Sequence, residues 1–345
     1  MIDWLSGKIM FKHTSKDIPV GTVASISPDG ELEWKTIKRK VIEGSYSNKF
    51  TIRSCPSSEI SKGEFTTLDF SGNPVKFLQG HNIWGSSDVL GLARDAILLC
   101  LNKLGLKLTD IEFKALSSGL ISLSRVDINY MYSMGNLDKV NQWLHACEFS
   151  ARTRQGKGHF SGTTLYFQKK STRWSLKFYS KGLEIKAPGH QLPKEFLAAK
   201  SFHDYANDKL RCELTLRTKE LKKLGLDNVA RWGDNEPYEV YEKYMVKLEM
   251  STQKELDCLI DDIPRSISNT YLIWKEGYDL KSRLPKNTYY RHRRELLKHG
   301  VDISIPSAKK PSNVIPLMRV IEAIPAQIPE WAHGTQYYYE PKKAL

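Results

Sequence analysis

Residues 175–187, SLKFYSKGLEIKA, place a tyrosine midway between two lysines with a glutamate close behind. Side chains alternate across a β-strand, so Lys177, Tyr179 and Lys181 share one face while Leu176 and Phe178 take the other. Two further stretches follow the same rule. In LSRVDINY, Arg125, Asp127 and Asn129 oppose Val126, Ile128 and Tyr130; in LRCELTLR, Arg211, Glu213, Thr215 and Arg217 oppose Leu210, Cys212, Leu214 and Leu216. If they lie side by side in one sheet, these strands gather two carboxylates, a phenol and several cations on a single polar surface. The half-solvated outer face of an ordinary antiparallel sheet has the same pattern, so alternation alone does not define a site.

The chemistry open to such a surface follows from its groups. Asp127 and Glu213 are hard oxygen ligands that suit Mg²⁺ or Mn²⁺ and leave coordination positions for phosphate oxygens. Such an ion polarises a phosphodiester as a Lewis acid. Tyr179 is then the candidate nucleophile. Its ordinary pKa of about 10 leaves little phenolate at neutral pH, and Lys177 and Lys181 are placed to lower it. A phosphotyrosine link conserves the energy of the broken linkage, so a cut strand can be rejoined without ATP. The competing reading of Tyr179 is a packed tyrosine whose hydroxyl finds a partner. His81, between Gly80 and Gly85 in KFLQGHNIWGSSD, is either a metal ligand or a satisfied structural histidine. Glu184 is either a third acid for the metal or a surface partner of Lys181 or Lys186.

Charge narrows the partner. Of 345 residues, 52 are Lys or Arg and 39 are Asp or Glu, a formal excess of +13, which favours a polyanion and nucleic acid first. A cationic enzyme without such a partner has the same composition. The five cysteines, Cys55, Cys100, Cys147, Cys212 and Cys258, form no C-x-x-C pair, so neither a disulfide framework nor a zinc site is expected and a reducing cytoplasm fits. MIDWLSGKIM lacks the basic-then-apolar order of a secretory signal. The most apolar window, from Val89, is broken by Arg94, Asp95 and Lys103 and reads as an amphipathic core helix rather than a membrane span.

The elements that must position these groups are legible in outline. Short runs divided by turn signals at Pro28-Asp29-Gly30 and Ser71-Gly72-Asn73-Pro74 predict strands over the first 80 residues. A helix is expected over 88–104 with Asp88 as N-cap and Gly105 just past its end, and another after Asn136. SARTRQGKGHFSGTTLY predicts a basic, Gly-rich loop, and TTLYFQKK with WSLKFYSK a hairpin turning at Lys170 to Arg173. A helical stretch from Lys194 to Asn207 precedes the third polar-faced strand. The fold class is α+β: a mostly antiparallel central sheet flanked by helices, with a smaller, mainly helical C-terminal region. The composition shift places a boundary near 225–233, dividing the chain into 1–228 and 229–345.

Two basic segments are candidates for contact with DNA. In PKNTYYRHRRELLKHGVDI, Asn287 is the expected N-cap and Gly300 the end of a helix. Tyr290, Leu296 and Leu297 are expected to pack, leaving Arg291, Arg293, Arg294 and Lys298 for phosphates; a solvated basic helix has the same composition. Arg152, Arg154 and Lys157 form the second candidate contact.

VKFLQGHNIWGSSDV, SRVDINY, LKFYSKGLE, LRCELTLRTKELKKLGL, LPKNTYYRHRRELLKHGVDI and NVIPLMRVIEA followed by PEW occur in this order, and with them the chain resembles the gene II family of replication initiators of filamentous phages. The likeness runs from MIDWL to Trp331. It implies a rolling-circle initiator, an endonuclease that nicks the plus strand of double-stranded replicative-form DNA at the origin through a covalent 5′-phosphotyrosine and later rejoins the displaced strand. The freed 3′ hydroxyl then primes host polymerase. The resemblance carries the nucleophile role to Tyr179, and a wider similarity to plasmid rolling-circle initiators supports Asp127, Glu213 and Glu184 as ligands of Mg²⁺ or Mn²⁺. Those nucleases carry a His-x-His pair that is missing here, where only His81 stands in a comparable block; Tyr166 is a candidate second tyrosine. The implied partners are phage origin DNA, double-stranded and single-stranded, host helicase and polymerase, and a second copy on DNA, in the cytoplasm of a bacterial host without a membrane. On this reading 1–228 nicks and joins, and 229–345 is a DNA-binding or accessory region. The alternative is a non-catalytic DNA-binding regulator of replication.

Overall fold

Two-residue alternation is strong enough in this chain to build one wide sheet. The computed structural model describes residues 1–55, 64–196, 199–250, 263–298, 303–304 and 324–341. Cys258, Gly300 and the block 313–323 lie outside the described residues. Among the described residues the strands are β1 (Ile2–Thr14), β2 (Thr22–Ile26), β3 (Leu32–Ile37), β4 (Lys40–Glu43), β5 (Lys49–Cys55), β6 (Glu64–Gly72), β7 (Ser122–Ser133), β8 (Ala151–Thr153), β9 (Gly156–Lys157), β10 (His159–Ser161), β11 (Thr164–Phe167), β12 (Trp174–Ser180), β13 (Lys209–Arg217) and β14 (Glu249–Met250). Nine of them form a sheet in the order β10-β11-β12-β13-β7-β1-β6-β5-β4, and every pairing in it is antiparallel. The three polar-faced strands are neighbours, β12 beside β13 beside β7.

The helices are α1 (Pro74–Gln79), α2 (Val89–Lys103), α3 (Asp110–Ser117), α4 (Leu137–Ser150), α5 (Lys181–Glu184), α6 (Ala199–Ala206), α7 (Thr218–Leu224), α8 (Glu236–Met245), α9 (Arg265–Lys275) and α10 (Lys286–Lys298). The Asp88 side chain accepts from the Gly91 N–H and Asn136 from the Lys139 N–H, so both expected caps hold donors that a helix start leaves unpaired. Leu92, Ala96 and Cys100 of α2, Val140 and Leu144 of α4, and Tyr241 and Tyr244 of α8 share one buried core with Leu5, Ile9, Val126, Ile128, Leu176, Phe178 and Leu214 of the strands. Helices therefore cover the apolar face and leave the polar face to the other side. α8 lies beyond residue 228 but belongs to this core. Ile267 and Tyr271 of α9 and Tyr289 and Leu296 of α10 form a separate small core with Leu280 and Ile303.

The polar face is closed at one end. Ile83, Trp84, Met131, Ile185, Phe196, Phe202 and Ala332 make a second apolar cluster. Met131 shares parity with Asp127, so this cluster roofs the polar side of the sheet where β7 ends. The 324–341 segment ties it down: the Ala326 N–H donates to the Met131 carbonyl at 2.7 Å, and the Trp84 indole donates to the Tyr337 carbonyl at 2.9 Å.

Three local expectations change. The segment read as a loop supplies β8 and β9, which join β14 in a three-stranded sheet. In α10, Asn287 is the second residue rather than the cap. Tyr290 is 53% exposed while Tyr289, His292 and Leu296 are buried, because the three- and four-residue steps of that stripe include 289 and leave out 290.

Candidate active site

Register sets the polar face row by row. Tyr179 pairs with Arg211, which pairs with Met131; Lys177 pairs with Glu213, which pairs with Asn129; Thr215 pairs with Asp127, which pairs with Trp4. The Tyr179 hydroxyl donates to Glu213 Oε2 at 3.3 Å, and Tyr179 is only 7% exposed. The Lys177 ammonium lies 2.6 Å from Glu213 Oε1 and 5.7 Å from the Tyr179 ring centroid. Burial drives the Glu213 pKa up to about 7; Lys177 opposes this, while the nearby Asp3 and Asp127 carboxylates add to it. A carboxylate so placed is a stronger base than a solvated glutamate. Burial works against the charge on Lys177, but Glu213 and Asp3 outweigh it and raise its pKa.

The phenol does not titrate as the spacing of the lysines suggests. Burial pushes Tyr179 well above its usual value, and the cation that counters this is Arg211. Arg211 is fully enclosed, donating from one terminal nitrogen to Asp3 Oδ1 at 2.7 Å and from the other to the Asn82 carbonyl. Asp3 also accepts from Asn73 at 2.8 Å and from Asn82 at 2.9 Å. Burial alone would raise the Asp3 pKa; Arg211, Lys177 and Lys181 reverse that and hold it at about 2. The pairing of β1 with β7 shifts register between Ile2 and Trp4, and such irregularities re-aim a side chain. Asp3 is the residue in that gap.

Lys181 begins α5 rather than extending β12. It is fully buried, donating to Asn82 Oδ1 at 3.0 Å and Glu184 Oε2 at 2.7 Å. Burial and Arg211 lower its pKa to about 8, with Glu184 opposing. Glu184 also holds His190 at 3.0 Å. Asp127 is 1% exposed and takes both ends of Arg125, at 2.8 Å and 2.6 Å.

The expected metal shell of Asp127, Glu213, His81 and Glu184 is not gathered: among the described residues no group of three or more His, Cys, Asp or Glu side chains is placed to hold a metal ion. His81 is buried against Trp84, Phe196 and Phe202 at ring distances of 4.8, 5.7 and 4.9 Å. Its Nδ1 accepts from the Ile83 N–H at 3.2 Å, so Nε2 carries the proton that meets the Tyr337 carbonyl at 2.8 Å. Burial drives its pKa down to about 3. Both nitrogens are committed to backbone. Gly80 supplies the tight path to it, with φ +92 and space so close to Tyr46 that a Cβ would sit 2.3 Å from that ring. Glu184 is engaged by Lys181. The remaining pair, Asp127 and Glu213 on adjacent strands, fits the one or two carboxylates that Mg²⁺ takes beside phosphate oxygens, and the raised pKa of Glu213 marks a place where added positive charge is favourable.

The basic candidates stand elsewhere. Arg152 pairs with Lys157 in β8 and β9, and Arg152, Arg154 and Lys157 are exposed. Arg291 and Arg294 are exposed on α10, Arg293 is half-buried, and Lys298 is the last residue of that helix. Tyr166 pairs with Lys177 one strand further out. Sequence reasoning missed Arg211 as the partner of the phenol, and Asp3 and Asn82 altogether. Polar parity marks Arg211; nothing local marks the other two.

Fold and site together describe an α+β protein whose sheet presents a tyrosine hydrogen-bonded to a buried glutamate among paired cations. Residues 1–235 match the N-terminal family of the phage gene II replication-associated protein, and residues 259–342 match its C-terminal counterpart. The replication-associated protein of this name from Enterobacteria phage I2-2 is 38% identical over 333 residues, 95% of each chain. That of Enterobacteria phage fd is 23% identical over 381 residues, covering 95% of this chain and 88% of its own. The chain belongs to the gene II family of filamentous-phage replication-associated proteins. Among the described residues no helix is long and apolar enough to cross a membrane.

Proposed function

We propose that this chain is a rolling-circle replication initiator that nicks the plus strand of phage replicative-form DNA at the origin and rejoins the displaced strand. The observation that carries this reading is the hydrogen bond from Tyr179 to a Glu213 carboxylate whose pKa has been raised to about 7. In the forward step the Tyr179 oxygen forms a bond to the scissile phosphorus, the phenol proton passes to Glu213, and the bond from phosphorus to the 3′ oxygen breaks. The 3′ oxygen takes a proton from solvent and leaves as the hydroxyl that host polymerase extends. Reversal with a new 3′ hydroxyl closes a circle. Lys177 and Arg211 keep positive charge beside the carboxylate and the phenol. The amide nitrogen of Asn129, in register with Glu213, is buried without a hydrogen-bond partner among the described residues and suits a phosphate oxygen.

Asp127 and Glu213 are the residues that would hold Mg²⁺ or Mn²⁺, which when bound supplies Lewis-acid stabilisation of charge on the phosphate. Arg125 occupies Asp127 in the free protein and must yield it. Residues 1–228 are assigned to nicking and joining, and the exposed cations of 229–345 to DNA contact, in the cytoplasm of a bacterial host with its helicase and polymerase.

The enclosure of Tyr179 favours a second reading, a DNA-binding regulator without catalysis. One experiment separates the two. Purified protein, supercoiled replicative-form DNA of its own phage and Mg²⁺ should give nicked circles and a Tyr179 peptide joined to DNA by mass. Tyr179→Phe should lower nicking by at least about 10³-fold with DNA binding retained. Absence of both nicking and adduct with the unaltered protein leaves only the regulator.

A further inference from the structure

The polar face continues past Asp127 into groups that the nicking reaction does not use. Trp4 stands opposite Asp127 across β1 and β7. Its indole N–H is shared between the hydroxyls of Ser6 at 3.0 Å and Ser71 at 3.2 Å, and the Arg125 guanidinium lies 5.2 Å from its ring centroid. Trp4 is half-buried, pinned by its edge to a polar surface rather than packed in the core. Along the neighbouring strand, Arg125 and Arg217 are direct cross-strand partners. Like charges so placed destabilise a sheet, and burial together with Arg125 lowers the Arg217 pKa. Asp127 is taken up by Arg125 through both oxygens, while among the described residues the Arg217 guanidinium reaches the Ser175 hydroxyl, at 3.4 Å, and no carboxylate.

An indole beside an under-neutralised arginine pair is complementary to a nucleotide. The ring offers a stacking surface to any base, and two guanidiniums offer forked donors to a phosphate. Only an unstacked base presents its face to a side chain, so the occupant is single-stranded. Arg217 is four residues along β13 from Glu213, roughly 13 Å at ~3.3 Å per residue, a separation of a few nucleotides at ~3.4 Å or more each.

We propose that Trp4, Arg125 and Arg217 form a nucleotide subsite that holds single-stranded DNA a few nucleotides from the phosphate attacked by Tyr179, with the base on Trp4 and a phosphate between the arginines. The reading of Tyr179 as nucleophile fixes only where the scissile phosphate lies; binding at the subsite does not require cleavage.

The test therefore uses the full chain carrying Tyr179→Phe, without divalent ion, and the anisotropy of a labelled single-stranded origin oligonucleotide. Trp4→Leu should weaken binding roughly ten- to hundredfold and Trp4→Phe only slightly, while duplex of the same sequence binds as before. Arg217→Gln should weaken single-strand binding and reduce the salt slope by about 0.7. Single abasic substitutions scanned along the oligonucleotide should locate one position where the unaltered Trp4 protein loses affinity. Single-strand affinity unchanged in folded Trp4→Leu, or lost in parallel for duplex, overturns the subsite. If Trp4→Leu does not fold, a flat abasic scan overturns it and a single sensitive position, abolished by Arg217→Gln, supports it. Failure of the nucleophile reading would appear separately, as absence of a Tyr179 adduct.

Discussion

Tyr179 and Trp4 lie on the same face of the same sheet, yet one is 7% exposed beneath an apolar roof and the other is half-buried on open ground. Around Tyr179 the charges are paired and dry: Arg211 with Asp3, Lys181 with Glu184, Lys177 with Glu213. Around Trp4 two arginines share one carboxylate and keep contact with water. Low dielectric magnifies interactions in the first region, and it is there that a glutamate pKa reaches about 7 and a lysine falls to about 8. Solvent damps them in the second, where surplus charge is free to meet phosphate. The closed end suits moving a proton; the open end suits holding a polymer.

The sharpest way to break this contrast is to remove one arginine from each end. Arg211→Gln leaves Asp3 charged and enclosed, and should cost about 3–5 kcal/mol of stability in urea unfolding; Arg217→Gln should cost about 1 kcal/mol or less. Equal losses would show that the two ends are not electrostatically distinct.

Next in size is the proton. Nicking should rise with pH through about 7 as Glu213 ionises, and Glu213→Gln should lower the rate by about 10²–10⁴ and remove that limb from the pH profile. The same shift has a stability sign. A carboxyl raised from 4.5 to about 7 binds its proton more tightly in the folded state, so its contribution is complete below pH 4.5 and is lost as pH rises through 7. The stability difference between the unaltered protein and Glu213→Gln should therefore shrink across that window, measured by thermal melts at fixed ionic strength.

The smallest effect belongs to α10. Arg291→Ala or Arg294→Ala should each reduce the salt slope of duplex binding by about 0.9 and leave the chemistry of a bound strand unchanged, as single-turnover rates at saturating protein would report.

Much of this architecture could be read from residue order. Alternation in three segments identifies β7, β12 and β13 and the face that carries Asp127, Glu213 and Tyr179, and the caps at Asp88 and Asn136 start α2 and α4. What escaped was set by register and by distant chain. The pairing of Tyr179 with Arg211, rather than influence from the flanking lysines, needs the β12–β13 alignment. Asp3 needs the irregularity in β1. His81 is satisfied by a carbonyl 256 residues away, which no local pattern encodes, and helix phase decided between Tyr289 and Tyr290 by a single position.

The central place of β1 has a consequence in time. The first strand to leave the ribosome lies between β6 and β7, and its Asp3 meets a guanidinium 208 positions later. At about 5–20 residues per second, roughly 10 to 40 seconds of translation separate the two. Until Arg211 has emerged, the nascent polypeptide holds an acid with no counter-charge and a gap where its nuclease centre will be, so on the proposed reading cutting competence arrives late and all at once.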